Sequence, residues 1–209
     1  MRLPDLLTSD HLPAAELAAL RLDGALYPVA GCWRPVDLPE TDEARADAVT
    51  LVLRDRLVAD RLTAAWVLGA TDSAPLPLQA CAPATDRGAV KTPAVDVREL
   101  HLRDADVLRI GSLRLTTALR TAADLLRAAE WGARESDAVR RLLRLCAGEG
   151  RDGREGPDGR DRKDGRDRHD GREGQDGQDG RDEVRELLLE GRFATHRKRA
   201  LTRLAALPR

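Results

Sequence analysis

The sequence predicts an α+β protein, and three features lead to that class. Leu and Ala recur at helical spacing in stretches such as ALRTAADLLRAAEWG at 118–132. Short β-rich runs, VDVREL at 95–100 and DVLRIGSLRLT at 106–116, lie between Gly, Pro and Asp breaks. Residues 150–182 form an unbroken series of triplets that each close on an acid, separating a long amino-terminal part from a short tail.

RLPDLLTSD, at 2–10, reads as a brief helical turn around Leu6 and Leu7 followed by the cap-like Thr8, Ser9 and Asp10. LPAAELAALRLDG then places Leu12, Leu17, Leu20 and Leu22 at near-helical spacing, with Pro13 tolerated in the first turn and Gly24 as the stop. ALYPVAGCWRPVD gives two extended runs around Gly31, a compact hairpin. Helix, turn, helix and hairpin within about 35 residues outline a winged helix-turn-helix, assigned to 1–40.

A mixed α/β core domain is expected over 41–147. Residues 42–60, DEARADAVTLVLRDRLVAD, are apolar around much of a helical circumference, as in a core helix. TAAWVLGA predicts a second helix with Thr63 as cap and Trp66 as its largest anchor. APLPLQACAPA allows a short strand from Leu76 to Cys81. The two β-rich runs follow, the second folding about Gly111 with Val107, Leu108, Ile110, Leu113 and Leu115 as its apolar set. Thr117 opens one strong helix, and SDAVRRLLRLCAG supplies another.

The triplet tract invites comparison with collagen, but Arg162 and Arg168 occupy positions where a triple helix requires Gly, and Pro157 is its one proline. With no aliphatic side chain, it cannot bury enough apolar surface to offset its ordering entropy. A disordered, charged Gly-X-acid linker is expected over 148–182. At 183–209 the reading is a helical tail in two pieces interrupted at Gly191.

Charge limits the partners. The 209 residues carry a formal net charge of −1, so a nucleic-acid or membrane partner would have to meet a local patch. Cys32, Cys81 and Cys146 form no CxxC pair and share no metal spacing with the four histidines, which fits a reduced, cytoplasmic setting with no metal and no cofactor. MRLPDLLTSD lacks a signal-peptide core, and no run approaches the roughly 18 apolar residues of a membrane helix, so no membrane partner is expected.

ELAALRLDGALYPVAGCWRPVD, TAAWVLGA and LRLTTALRTAADLL together resemble the actinobacterial branch of the AbiEi-type antitoxins of type IV toxin–antitoxin systems, over residues 3 to about 147. The resemblance implies an amino-terminal winged helix that binds the gene's own promoter, and a second domain that counteracts a nucleotidyltransferase-type toxin. Ala14 to Leu22 would match the reader's second helix and Tyr27 to Val36 its wing. Thr63, Ala64, Ala65, Trp66 and Gly69 would match a small-residue helix, with Leu68 where many relatives carry a histidine. Arg120, Thr121 and Asp124 match an Arg-Thr-x-x-Asp pattern. Many relatives append a nuclease domain resembling very-short-patch-repair enzymes. The tail here is too short for one and lacks an acid followed by Glu-x-Lys or Gln-x-Lys, so no enzyme activity is expected.

The candidate DNA contacts are His11, Arg21 and Arg34 in the reader and Arg197, Lys198 and Arg199 in the tail. Residues 1–40 also hold Asp5, Asp10, Glu16, Asp23, Asp37 and Glu40, an acidic balance that suits phosphate poorly. From Gly191 onward no acid occurs, and HRKRALTRLAAL is a basic amphipathic helix. Its charges could hold phosphates, with the tether raising the avidity of a weak reader, or stay solvated while Leu201, Leu204 and Leu207 pack on the core. Arg120 and Asp124, four apart, can pair on one helical face beside Thr121, either orienting the helix or meeting a partner. The function expected is a DNA-binding, antitoxin-like transcriptional regulator that acts on its own promoter and counteracts a nucleotidyltransferase-type toxin; the alternative is a protein-interaction module that keeps the fold without binding DNA.

Overall fold

The computed structural model describes residues 4–53, 55–82, 92–152, 173–190, 193 and 195–208. Among them are seven α-helices and two sheets, grouped by contacts into two units, Met1–Thr117 and Ala118–Arg209.

The first unit begins with helix α1, Ala14–Leu22, and a hairpin of β1, Leu26–Val29, and β2, Cys32–Pro35. Ala30 and Gly31 both take positive φ, 46° and 89°, which matches the twist of a two-residue hairpin turn. The helical turn expected at Leu6 and Leu7 is not formed. Leu7 instead pairs with Trp33 as an antiparallel bridge, its N–H donating to the Trp33 carbonyl at 2.8 Å and its carbonyl accepting at 2.9 Å. An isolated turn of helix has a nucleation cost, whereas this pairing buries Leu7 completely against Leu17 and Leu26. Among the described residues, α1 alone precedes the hairpin.

Helix α2, Asp42–Thr50, is capped by Thr41, whose hydroxyl accepts the Ala44 N–H at 3.2 Å. The helix expected across 42–60 therefore stops early, and Val58–Ala59 become strand β3. Both residues are fully buried between two neighbouring strands, so tertiary pairing overrides the helical pattern. Helix α3, Arg61–Val67, follows at once, with Asp60 rather than Thr63 at its N-cap. Thr63 lies inside the helix, and its hydroxyl accepts the Gln79 N–H at 2.6 Å.

Strands β4, Leu78–Ala82, β5, Val95–Glu99, β6, Val107–Ile110, and β7, Leu113–Thr116, complete a mixed sheet of order β5-β4-β3-β7-β6. β3 runs antiparallel to β4 and parallel to β7, β4 is parallel to β5, and β6 and β7 form the antiparallel hairpin expected about Gly111. Trp66, Leu78, Leu115 and Val49 belong to the principal core of this unit.

The second unit is helical: α4, Ala118–Arg127, α5, Ala133–Asp152, α6, Glu173–Leu189, and α7, Arg197–Ala206. α4 packs on the other three. Of the stretch expected as a disordered linker, α5 covers the start as far as Asp152 and α6 the end from Glu173. Residues 153–172, including Arg162 and Arg168, lie outside the described residues. Gly180, the last glycine of the triplets, packs closely on α5: a Cβ there would overlap the Leu143 carbonyl oxygen. Nor is the tail simply tethered. Ala200, Leu204 and Leu207 are buried, the packed arrangement that its amphipathic pattern allowed.

Candidate functional site

The amino-terminal candidates do not converge. His11 is exposed and closes a turn, its Nδ1 accepting the Thr8 N–H at 3.1 Å and lying 3.0 Å from Thr8 Oγ1. Arg21 is exposed at the end of α1, its guanidinium 6.0 Å from the centre of the Trp33 ring. Arg34, expected to follow a phosphate backbone, is 5% exposed, and its Nη2 donates to the Pro39 carbonyl at 2.6 Å. That placement turns its guanidinium to the chain's own backbone just after the hairpin. Asp5, Asp10, Glu16, Asp23, Asp37 and Glu40 are all exposed. Arg2 lies outside the described residues. The large apolar side chains Leu22 and Val36, 87% and 56% exposed, stand near the junction where α1 hands over to the hairpin.

Several tail cations serve helix ends. The last carbonyls of a helix have no partner of their own and carry its negative pole, so a guanidinium satisfies both needs. Arg203 Nη1 donates to Leu126 and Ala128 at the end of α4, at 2.9 and 2.7 Å, and its guanidinium lies 4.7 Å from the Trp131 ring centre. Burial, then the neighbouring charge of Arg199, pulls its pKa below the ordinary arginine value. Arg197 donates to the Glu190 carbonyl just beyond α6 at 3.0 Å, and Arg199 to Ala128 at 3.4 Å. Arg181, in the final triplet, reaches the end of α7 through Leu204, Leu207 and Pro208 at 3.4, 3.3 and 2.5 Å. Lys198 and Arg199 remain exposed, while Arg192 and Arg209 lie outside the described residues.

Arg120, Thr121 and Asp124 are all buried on α4. Arg120 Nε donates to Asp124 at 2.9 Å and Arg127 Nη1 to the other carboxylate oxygen at 3.4 Å. Phe193 closes the cluster, its ring centre 5.0 Å from the Arg120 guanidinium and 4.9 Å from that of Arg127. This arrangement fits the orienting role. Trp66 is likewise buried, in the core of the first unit.

A second polar cluster was not singled out from the sequence. Fully buried Asp60 accepts from Arg61 Nε at 3.1 Å and Arg98 Nε at 2.5 Å, and Arg61 also reaches Asp96 at 3.2 Å. These contacts tie the start of α3 to β5, with Arg61 at φ 46°. The available signal was the Asp-Arg pair after LVA, hidden by reading that stretch as helix.

The first unit also holds an open cavity of about 490 Å³. Tyr27, Cys32 and Trp66 line it, with Glu40, Asp72 and Ser73 among its polar residues. Burial, and then Glu40, raise the Tyr27 pKa. The Cys32 thiol donates to the Val29 carbonyl at 3.0 Å, and burial pushes its pKa up to about 11. The sequence gives no sign of this cavity, because its walls come from segments around 27–33, 40, 66 and 72–76.

Among the described residues, no group of three or more His, Cys, Asp or Glu side chains is placed to hold a metal ion, and no helix is long and apolar enough to cross a membrane. Comparison with protein-family models and with curated proteins gives no match.

Proposed function

We propose that the chain is a non-enzymatic, cytoplasmic protein-interaction module whose first unit meets a basic partner. The observation that carries this reading is the surface of residues 4–40, where six exposed acids face one exposed arginine, Arg21. Phosphate neutralisation supplies most non-specific DNA affinity, and this surface would repel the backbone it had to follow. Exposed Leu22 and Val36 add apolar area suited to a protein contact.

A second reading is the antitoxin-like transcriptional regulator, acting on its own promoter and counteracting a nucleotidyltransferase-type toxin. It is favoured by exposed Lys198 and Arg199 in a tail without acids. Binding of the full chain to its promoter duplex, followed by fluorescence anisotropy at low and moderate salt, separates the two. The interaction reading expects no sequence-specific binding at either salt. Specific binding weakened by Arg21→Ala restores the amino-terminal reader, and specific binding weakened only by Lys198→Ala with Arg199→Ala places DNA on the tail.

A further inference from the structure

A strand at the border of a sheet keeps one row of N–H and C=O groups for whatever lies beyond it. β6 is such a strand, the last in the order β5-β4-β3-β7-β6. Its pairing fixes which groups point outward. The Asp106 carbonyl accepts the Thr117 N–H at 3.0 Å, on the β7 side, and inward and outward residues alternate along an antiparallel ladder. Leu108 and Ile110 therefore direct their backbone groups to β7, and Val107 and Arg109 turn theirs away from the sheet. Among the described residues, these outward N–H and C=O groups have no partner. The small hairpin is guarded differently. β1 carries Pro28, which has no N–H, and Leu7 takes both outward groups of Trp33 on β2. At the other border of the large sheet, Val95 of β5 exchanges two bonds with Thr92 of its own chain.

Charge selects the occupant of the β6 edge. Arg109 of β6 stands directly opposite Arg114 of β7, the first exposed and the second half-buried. Side chains so opposed have Cβ atoms about 4.5–5.5 Å apart, and like charges there repel. Among the described residues, neither guanidinium forms an ion pair or a hydrogen bond. Asp47 of α2 comes near the turn, 3.8 Å from where a Gly111 Cβ would stand, without pairing with either. On the opposite face of β6, Leu108 and Ile110 are half-buried against the core. An added strand thus meets an apolar row on one face and an uncompensated positive pair on the other. The β6 of a second copy fits badly, because two-fold pairing would gather two Arg109 and two Arg114 side chains on one face. A nucleic-acid phosphate accepts hydrogen bonds only, and would leave the Val107 and Arg109 carbonyls unpaired.

We infer that the outer edge of β6 is a docking site for an extended, acidic segment of a partner protein, which adds a strand to the sheet and sets a carboxylate opposite Arg109. The residues on either side of that acid, facing Leu108 and Ile110, are apolar. The site is separate from residues 4–40 and does not depend on a basic partner meeting that surface.

The test uses the full chain, isotopically labelled for NMR, and a blocked heptapeptide with a central Glu between two Val residues. In the free protein, the Val107 and Arg109 amides should exchange with solvent at least about tenfold faster than those of Leu108 and Ile110. The peptide should shift and protect the two fast amides. Gln in place of the central Glu should weaken binding about fivefold, the size of an exposed ion pair. Methylation of that residue's backbone nitrogen removes the donor facing Arg109, and should weaken binding at least about tenfold. Arg109→Gln and Arg114→Gln should each erase most of the preference for the Glu peptide over the Gln peptide, with circular dichroism checking that both variants are folded.

Equal binding of the Glu and Gln peptides overturns the proposal, as does a methylated peptide that binds as well as its parent. Absence of any shift at millimolar peptide overturns it too. Slow exchange at Val107 and Arg109 in the free chain would mean that the edge is already paired, which removes the site. Shifts at Arg109 and Arg114 caused by a random-sequence DNA duplex, with none from the peptide, would make the pair a phosphate contact and likewise sink the strand site.

Discussion

Truncating Asp124 leaves the Arg120 guanidinium, 3% exposed, without the carboxylate 2.9 Å away. A buried charge stripped of its partner costs about 3–5 kcal/mol, so Asp124→Ala should lower stability by that order in urea unfolding, with Asp124→Asn milder because an acceptor remains. The pairing was legible, since Arg and Asp four apart on a strong helix must share a face; its closure by Phe193 was not, because 73 and 69 residues of chain separate them and no local pattern encodes that distance. The fate of Arg34 was equally hidden, for a strand arginine reads the same whether it reaches solvent or its own chain. Cys32 gives a second expectation at this scale. Its folded pKa of about 11 lies above the ordinary 9.0, so the folded thiol keeps a proton that the unfolded thiol releases. This contribution to stability is fully present below pH 9 and is lost as pH rises towards 11. Unfolding measured from pH 8 to 11 should show that loss, and Cys32→Ala should flatten it.

Whole elements were read well where periodicity and punctuation agreed. α1 stops before Gly24, the hairpins turn at Gly31 and Gly111, and the helix after Thr117 starts where expected. The reading failed where burial outranked pattern, at Leu7 and at β3, because a two-residue strand is recognised only by the strands on either side. The triplets show the same limit from the other direction. Gly costs about 1 kcal/mol in a helix interior, yet α6 includes Gly174, Gly177 and Gly180. At Gly180 the missing side chain is what permits the contact with α5. Gly180→Ala should therefore destabilise the second unit by about 1–3 kcal/mol despite its better helix propensity. Thermal unfolding followed at 222 nm checks the sign, and a rise in melting temperature would remove the close-packing account.

At the scale of the whole chain, the question is whether residues 191–209 are an appendage or part of a fold. A tethered basic arm could be removed with little effect on stability and a large one on nucleic-acid affinity. The contacts oppose that separation: Phe193, Ala200, Leu204 and Leu207 are buried, and Arg203 caps α4. Loss of a buried Phe side chain alone costs about 3–5 kcal/mol, against a net domain stability of about 5–15 kcal/mol. A chain ending at Glu190 should thus lose the cooperative unfolding of its second unit, bind a hydrophobic dye and become protease-sensitive within 118–190. The first unit's separate core predicts that a fragment surviving the same digestion comes from residues before 118. Limited proteolysis with mass spectrometry reads both outcomes together. Unchanged resistance in 118–190 would show that the tail is dispensable to the fold, and its cations would then have to be explained by a ligand.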